Sequence, residues 1–391
     1  MGLKRVTFVT AFPDFLECFL VHSIIGRAIT EKVLEARVVN LRDFAVNRYG
    51  QVDDYAFGSG GMLLMAEPLA KALESLGDGG ATVLYPSPQG VVLSQELVES
   101  LAAREHLVIV CGHYEGVDER FVEKHVDLEV SLGDFVLTGG ELPAMVLVDA
   151  VARLVPGVVG KLAAVKDDSF FKGMLDHPHF TRPADWRGAK VPEALLSGDE
   201  AAIGEWRRRE AVARTVARRP DLLATANIRP YLSRRPYLAI SGETFADGGC
   251  PAQIERLAAL YGFERVLVVE QDAGRIQELS STLGERAVED RTAPKLFKAI
   301  GTAFGWVRKR EKEHPFVVGL ETVPVPESVH WVEAKRKILQ SGKPLVLGLS
   351  KDLGDKAEIT VSPLRGGLAS EGTVDTVPLL AVFMDRFFGC R

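Results

Sequence analysis

Short β-branched apolar runs alternate with amphipathic stretches along this chain, and the alternation admits few folds. Arg5-Val-Thr-Phe-Val-Thr-Ala11, Ala36 to Leu41, Thr82 to Tyr85, Leu107 to Cys111 and Val126 to Leu132 read as strands. Pro13 opens a helix running to about Leu34, with a break near Gly26. Further helices are expected over Pro68 to Leu76 and Ser94 to Ala103. Apolar strands separated by helices predict an α/β fold, a parallel sheet covered on both faces. In such sheets ligands bind where loops leave the carboxyl ends of strands. The loops 86–90, 112–116 and 132–140 fall there, and all are rich in Gly or Pro. None has the GxGxxG spacing of a dinucleotide site or the GxxxxGK[ST] of a phosphate loop.

The third loop is the most informative. In Val130-Ser-Leu-Gly-Asp-Phe-Val-Leu-Thr-Gly-Gly-Glu-Leu-Pro-Ala144, a strand breaks at Gly133 and Gly139-Gly140 open a run of helical spacing, Leu142 to Leu154. Glycines at both bends let the main chain approach a ligand and leave backbone groups free to bind it. Asp134 is the one acid, and no Lys or Arg precedes Glu141. A phosphate cradle would want a neighbouring cation. The pattern suits a loop that reads an adenine edge, and an ordinary strand-to-helix turn would also look like this.

At 391 residues two domains are expected. No apolar run reaches the ~18 residues that span a membrane. Met1-Gly-Leu-Lys-Arg-Val leads into a strand without a signal-peptide hydrophobic region, so a cytoplasmic location is expected. Cys18, Cys111, Cys250 and Cys390 form no CxxC pair, which argues for a reducing compartment and against a zinc site. Net charge is −6, yet nine arginines stand against Glu210 and Asp221 between Trp206 and Arg235. An acidic protein with one arginine-dense helix suggests a localised anionic partner, RNA foremost. A solvated helical face is the plainer reading of the same residues.

Several segments together resemble the bacterial tRNA (guanine-37-N1)-methyltransferase family. They are Tyr85-Pro-Ser-Pro-Gln-Gly90, Cys111-Gly-His-Tyr-Glu-Gly-Val-Asp-Glu-Arg120 and Ser131-Leu-Gly-Asp-Phe-Val-Leu-Thr-Gly-Gly-Glu-Leu-Pro143, followed by Asp168-Ser-Phe170, Leu175-Asp-His-Pro-His-Phe-Thr-Arg-Pro183 and Leu195-Leu-Ser-Gly198. The likeness covers about residues 1–225. It implies a SPOUT fold, whose trefoil knot holds S-adenosylmethionine bent, and a homodimer with sites built from both subunits. By position, it places the cofactor against Tyr85, Ser87, Pro88, Gly112, Tyr114, Glu115, Leu132, Gly133, Asp134, Phe135, Val136, Leu137, Gly139 and Pro143. Backbone groups of Leu132, Phe135 and Leu137 would hold the adenine, and Glu115 would sit near the sulfonium or the target guanine. No resident metal is implied; Mg²⁺ is a candidate auxiliary ion.

The resemblance also assigns the chemistry. Guanine N1 carries a proton and must lose it to become a nucleophile. Asp168 would be the base, and Arg153 would steady the charge growing on O6. Guanine N1 titrates several units above an aspartate's ~3.9, and each unit costs ~1.4 kcal/mol. Asp168 therefore needs a desolvated site, and Arg153 must lower the guanine's proton affinity. A lid around Val158 to Gly173 could supply both by closing. From spacing alone, Asp168 also reads as a helix N-cap and Arg153 as a helix C-terminal charge. Two departures stand out: His113 occupies a position where the family commonly has Arg or Lys, and the family's glycine loop is shortened to Phe57-Gly-Ser-Gly-Gly-Met62.

The resulting plan is a SPOUT methyltransferase domain over 1–160, a lid or linker over 161–185, a helical tRNA-binding domain over 186–228 and a second domain over 229–391. Arginines of Asp199 to Ala226 would grip the anticodon stem, with strong salt dependence. The last part starts with a strand at Pro236 to Ser241. A helix at Pro251 to Leu260 and strands at Arg265 to Val269, Phe316 to Leu320 and Pro344 to Leu349 follow. Leu347-Gly-Leu-Ser-Lys351, Val361-Ser-Pro-Leu-Arg-Gly-Gly367 and a closing helix, Val374 to Phe388, resemble a second SPOUT-like RNA methyltransferase domain. Cofactor binding there is expected through Leu347 to Leu349 and Val361 to Leu364; the alternative is a non-catalytic binding or dimerisation module. For the whole chain, rival readings are an RNA-binding or assembly protein with two inert knots, and a nucleotide-phosphate enzyme. The second would need a Lys or a carboxylate pair near the glycine loops.

Overall fold

The computed structural model describes residues 2–58, 60–77, 79–160, 168–247, 251–287, 293–321, 328–349, 353–362 and 376–389. It divides into two compact units, 1–167 and 168–391. Among the described residues, no helix is long and apolar enough to cross a membrane.

The first unit is built on a five-stranded parallel sheet of β1 (Arg5–Thr10), β2 (Glu35–Asn40), β5 (Thr82–Val92), β6 (His106–Val110) and β7 (Leu128–Ser131), in the order β2-β1-β6-β5-β7. A small antiparallel hairpin, β3 (Asp53–Tyr55) and β4 (Met62–Leu64), stands apart from it. All five residues of β6 are buried, as expected of a central strand covered on both faces. Two apolar cores result. One includes Phe8, Leu107, Ile109 and the inward face of α6 (Glu141–Ala152); the other includes Val9, Val108, Val110 and Phe121.

Local signals set several boundaries. Ser94 caps α4 (Gln95–Ala102), its hydroxyl accepting from the Leu97 amide. The first helical region breaks at His22, between α1 (Pro13–Val21) and α2 (Ser23–Thr30), and not near Gly26. Gly26 lies inside α2, where a Cβ would stand 2.4 Å from the Val21 carbonyl carbon. The glycine permits the tight meeting of the two helices. Strand β5 also outruns the expected end at Tyr85. Its pairing with β7 skips from Pro86 to Val91, both opposite Val130, so residues 87–90 loop out and the strand resumes.

The second unit has a six-stranded parallel sheet. Beyond a two-residue ribbon, β8 (Asp185–Trp186) with β9 (Ala189–Lys190), it comprises β10 (Tyr237–Ser241), β11 (Arg265–Val269), β12 (Lys295–Phe297), β13 (Phe316–Leu320), β14 (Leu345–Leu349) and β15 (Ile359–Val361). The order is β12-β11-β10-β14-β13-β15. Without the edge strand β12, and with each sheet's strands renumbered along the chain, both sheets run 2-1-4-3-5. The chain therefore contains the same parallel strand order twice. The arginine-rich helix, Glu200–Arg218, is capped by the Asp199 carboxylate, which accepts from the Ala201 and Ala202 amides. Its Ala211 and Val212 join the same apolar core as Leu238, Leu347 and Phe383. Arg207, Arg209 and Arg218 remain exposed.

Candidate functional site

The looped-out part of β5 and the loops at the carboxyl ends of β6 and β7 converge on a cavity of about 220 Å³. Each owes its shape to residues that tolerate unusual backbone. In the β5 loop, a Cβ on Gly90 would lie 2.3 Å from the Glu129 carbonyl carbon, so only glycine passes there. Ser87 is buried, and its hydroxyl accepts from the Gln89 amide at 3.2 Å. In the β6 loop, Tyr114 takes a left-handed φ of 61° and the Gly116 amide bonds to the His113 carbonyl at 3.0 Å, closing a turn around Glu115. In the β7 loop, Gly133 has φ 142° and the Phe135 amide turns back onto its carbonyl at 2.9 Å. Gly140 closes the site: its amide bonds to the Gly112 carbonyl at 2.8 Å, and a Cβ on it would meet the Gly112 nitrogen at 2.6 Å.

Every residue assigned to the cofactor from sequence lines this cavity except Asp134. Tyr114, Phe135, Val136 and Leu137 are exposed around its mouth, offering apolar faces to a flat ring. Burial raises the Tyr85 phenol's pKa, with the Glu129 charge adding to the effect, so it stays a protonated donor. Of the shortened glycine loop, Gly61 packs on Glu115. A Cβ on Gly61 would stand 2.1 Å from the Glu115 Cγ. The Glu115 amide donates to the Met62 carbonyl at 3.0 Å. Among the described residues, Glu115 is the one carboxylate in the lining, which includes neither Lys nor Arg.

Glu141 was not singled out from sequence, yet it organises the wall. It is 4% exposed in the first turn of α6, where the helix dipole favours a negative charge. Its Oε2 lies 2.7 Å from His113 Nε2, and its Oε1 accepts from the Thr10 hydroxyl. Thr10 stands 131 residues away in sequence, so no local signal announces the contact. Gly139 leaves room for the His113 ring; a Cβ there would lie 2.5 Å from it. Burial, reinforced by Glu141, holds the Cys111 thiol well above its usual pKa. Replacing His113 by leucine removes a partner from a buried carboxylate and should cost about 1–3 kcal/mol. Chemical denaturation measures it, and Glu141→Gln in the same background should recover part of the loss. An unchanged midpoint in His113→Leu would show that the pair contributes nothing.

The two residues assigned to catalysis sit in different units. Arg153 caps the C-terminus of α6. Asp168 is half-buried and opens the second unit. Residues 161–167 of the expected lid lie outside the described residues. After Asp168 comes a tight turn: the Gly173 amide bonds to the Phe170 carbonyl and the Phe170 amide to the Met174 carbonyl, with left-handed φ at Phe170 and Gly173. The Asp176 amide donates to Ser169 Oγ at 2.9 Å. Burial alone would raise the pKa of Asp176, but hydrogen bonds from His179 and from the His177 amide, with the imidazole charges, lower it.

The family model for tRNA (Guanine-1)-methyltransferase TrmD matches residues 4–225. The tRNA (guanine-N(1)-)-methyltransferase of Moorella thermoacetica is 51% identical over 231 residues, 58% of this chain and 92% of that protein. That of Bacillus subtilis is 49% identical over 223 residues, 56% of this chain and 92% of that protein. That of Ruminiclostridium cellulolyticum is 48% identical over 218 residues, 55% of this chain and 94% of that protein. With the matched span covering both the cavity loops and the arginine-rich helix, the chain belongs to the tRNA (guanine-1)-methyltransferase family.

Proposed function

We propose that this enzyme, a tRNA (guanine-N1)-methyltransferase by family, transfers the methyl group of S-adenosylmethionine to N1 of guanine at position 37 of tRNA. The observation that carries the donor's placement is the cavity. Among the described residues it combines apolar faces, glycine-shaped backbone and the lone carboxylate Glu115, without a Lys or Arg in its lining. Such a lining suits an adenine ring and a cationic sulfonium and disfavours a phosphate. Bound there, S-adenosylmethionine supplies an electrophilic methyl on a positively charged sulfur.

This chain's own groups would do the rest. Tyr85, Ser87 and Pro88 hold one side of the donor, Gly112, Tyr114 and Glu115 a second, and Leu132 to Leu137 with Gly139 and Pro143 the third. Asp168 takes the N1 proton onto its carboxylate as N1 bonds to the methyl carbon and the carbon–sulfur bond breaks. Arg153 faces the charge gathering on O6. The resemblance implies that each site is built from both subunits. A homodimer provides this. Its face would be the apolar surface of Leu142 and Val146 on α6 and Phe15 on α1, which is exposed in the single chain. The close passes at Gly90 and Gly140 suit a chain threaded through itself, as in a SPOUT knot. Exposed Arg207, Arg209 and Arg218 would meet tRNA phosphates. The reading places the enzyme in the cytoplasm and leaves Mg²⁺ as an auxiliary ion.

The second unit's repeat of the 2-1-4-3-5 strand order supports a second SPOUT-like domain there, with its own methyl donor and an RNA target of its own. Of the segments assigned to that donor, Leu347 to Leu349 are buried in β14, and 363–364 lie outside the described residues. A binding or dimerisation module is the alternative for this unit.

The test is incubation of the purified chain with labelled S-adenosylmethionine and two tRNA transcripts, one with guanine and one with adenine at position 37. Label should enter the guanine transcript as 1-methylguanine. Equal labelling of both transcripts, or label at another base alone, sinks the assignment.

A further inference from the structure

A carboxylate and two imidazoles converge in the second unit. Asp176, His177 and His179 each offer one ligand atom, and these atoms lie within 4.8 Å of one another. They come from four consecutive residues, with Pro178 stiffening the turn between the histidines. His177 Nδ1 lies 2.5 Å from Asp176 Oδ1, and His179 Nε2 lies 2.7 Å from Asp176 Oδ2. The imidazole rings are 4.5 Å apart and tilted by 47°, so they are not stacked face to face.

We infer that this cluster binds one late first-row divalent ion, of the zinc, cobalt or nickel class. Two imidazoles and a carboxylate are a donor set such ions take, whereas Mg²⁺ and Ca²⁺ demand oxygen. Around a tetrahedral ion with bonds of ~2.1 Å, ligand atoms sit ~3.4 Å apart, so the cluster closes on an ion with small shifts. The side chain that must swing is free to do so: His179 is 72% exposed, against 17% for Asp176 and 14% for His177.

The other two ligands are held in advance. The Asp176 carboxylate accepts from the His177 amide at 2.6 Å, and the Asp176 amide is tied to Ser169. The His177 ring stands edge-on to Trp206 at 6.1 Å, and Trp206 also meets Phe180 at 6.0 Å. This aromatic wall closes one side, and the exposed side leaves a fourth position for water. On metallation each imidazole carries its proton on the other ring nitrogen. The tie from Asp176 to Ser169 connects the ion to the turn beside Asp168, so loading stiffens that turn. The site does not depend on which base the enzyme methylates.

Equilibrium dialysis of the chelator-stripped full chain tests this, with bound metal quantified after exposure to Zn²⁺, Co²⁺ or Mg²⁺. One zinc per chain should bind at this cluster, and the cobalt form should absorb in the visible. His179→Ala should weaken zinc by more than the ~10–100-fold typical of losing a mere outer partner, and should abolish the cobalt bands. Because His179 is exposed, the variant should melt with the chelator-stripped parent. His22→Ala, at the exposed Cys18–His22 pair, should leave binding unchanged. The site is overturned if the parent binds no zinc, if His179→Ala binds it as tightly, or if equimolar Mg²⁺ displaces it.

Discussion

Asp168→Ala is expected to lower methyl transfer by roughly 10²–10⁴-fold, the usual contribution of a positioned general base. Labelled-methyl turnover measures the loss. Equilibrium binding of S-adenosylmethionine should be unchanged, because the cavity proposed for the donor lies in the first unit and Asp168 opens the second. Raising pH should rescue the variant partly, since solvent then removes more of the N1 proton, whereas the parent should gain less. Asp168→Asn, which keeps the shape and loses the basicity, should behave like alanine. A neutral residue 168 that turns over at the parent's rate ends the proposed proton path. A matched loss in donor binding would instead show that Asp168 acts by holding the fold.

Gly140→Ala should damage fold and donor site together. The added carbon would stand 2.6 Å from the Gly112 nitrogen and 2.8 Å from the Cys111 Cα. These neighbours are main chain, anchored by β6 and by the bond from the Gly140 amide to the Gly112 carbonyl. Neither can swing aside as a flexible side chain would. Overpacking of this kind costs about 1–3 kcal/mol or more. For a unit of this size that is a fall in Tm of roughly 2–12 °C. Calorimetry of unfolding and of donor binding should both register it. Gly90→Ala should do the same through Glu129. Gly60→Ala, with nothing within 4 Å of the new carbon, is the matched control and should be near neutral. Wild-type donor affinity in Gly140→Ala would show that the approach of the 112 and 140 loops is not what shapes the cavity.

Much of this protein is written locally. Apolar runs such as Leu107 to Cys111 and helix caps such as Ser94 and Asp199 act within a few residues, so strands, helices and loops could be read without a fold. The resemblance across residues 1–225 then brought together the cavity's lining. What sequence missed was nonlocal. Glu141 looked like an ordinary first-turn acid until β1 brought Thr10 to it and β6 brought His113. The arginine helix advertised its charges, but only packing shows Ala211 and Val212 buried in the second unit's core while Arg208 turns to Glu205 and the Tyr231 carbonyl.

Sequence by itself determined the alternation of strands and helices, the glycine bends and the chemistry available at each loop, because these depend on propensities and spacings a few residues long. Tertiary structure alone decided the 2-1-4-3-5 strand order, its recurrence in the second unit, and which polar groups meet out of water. Strand order and burial are set by contacts between residues far apart in sequence, from Thr82 with Leu107 to Arg5 with His106 and Tyr237 with Val346. Their free energy appears only when the whole sheet closes.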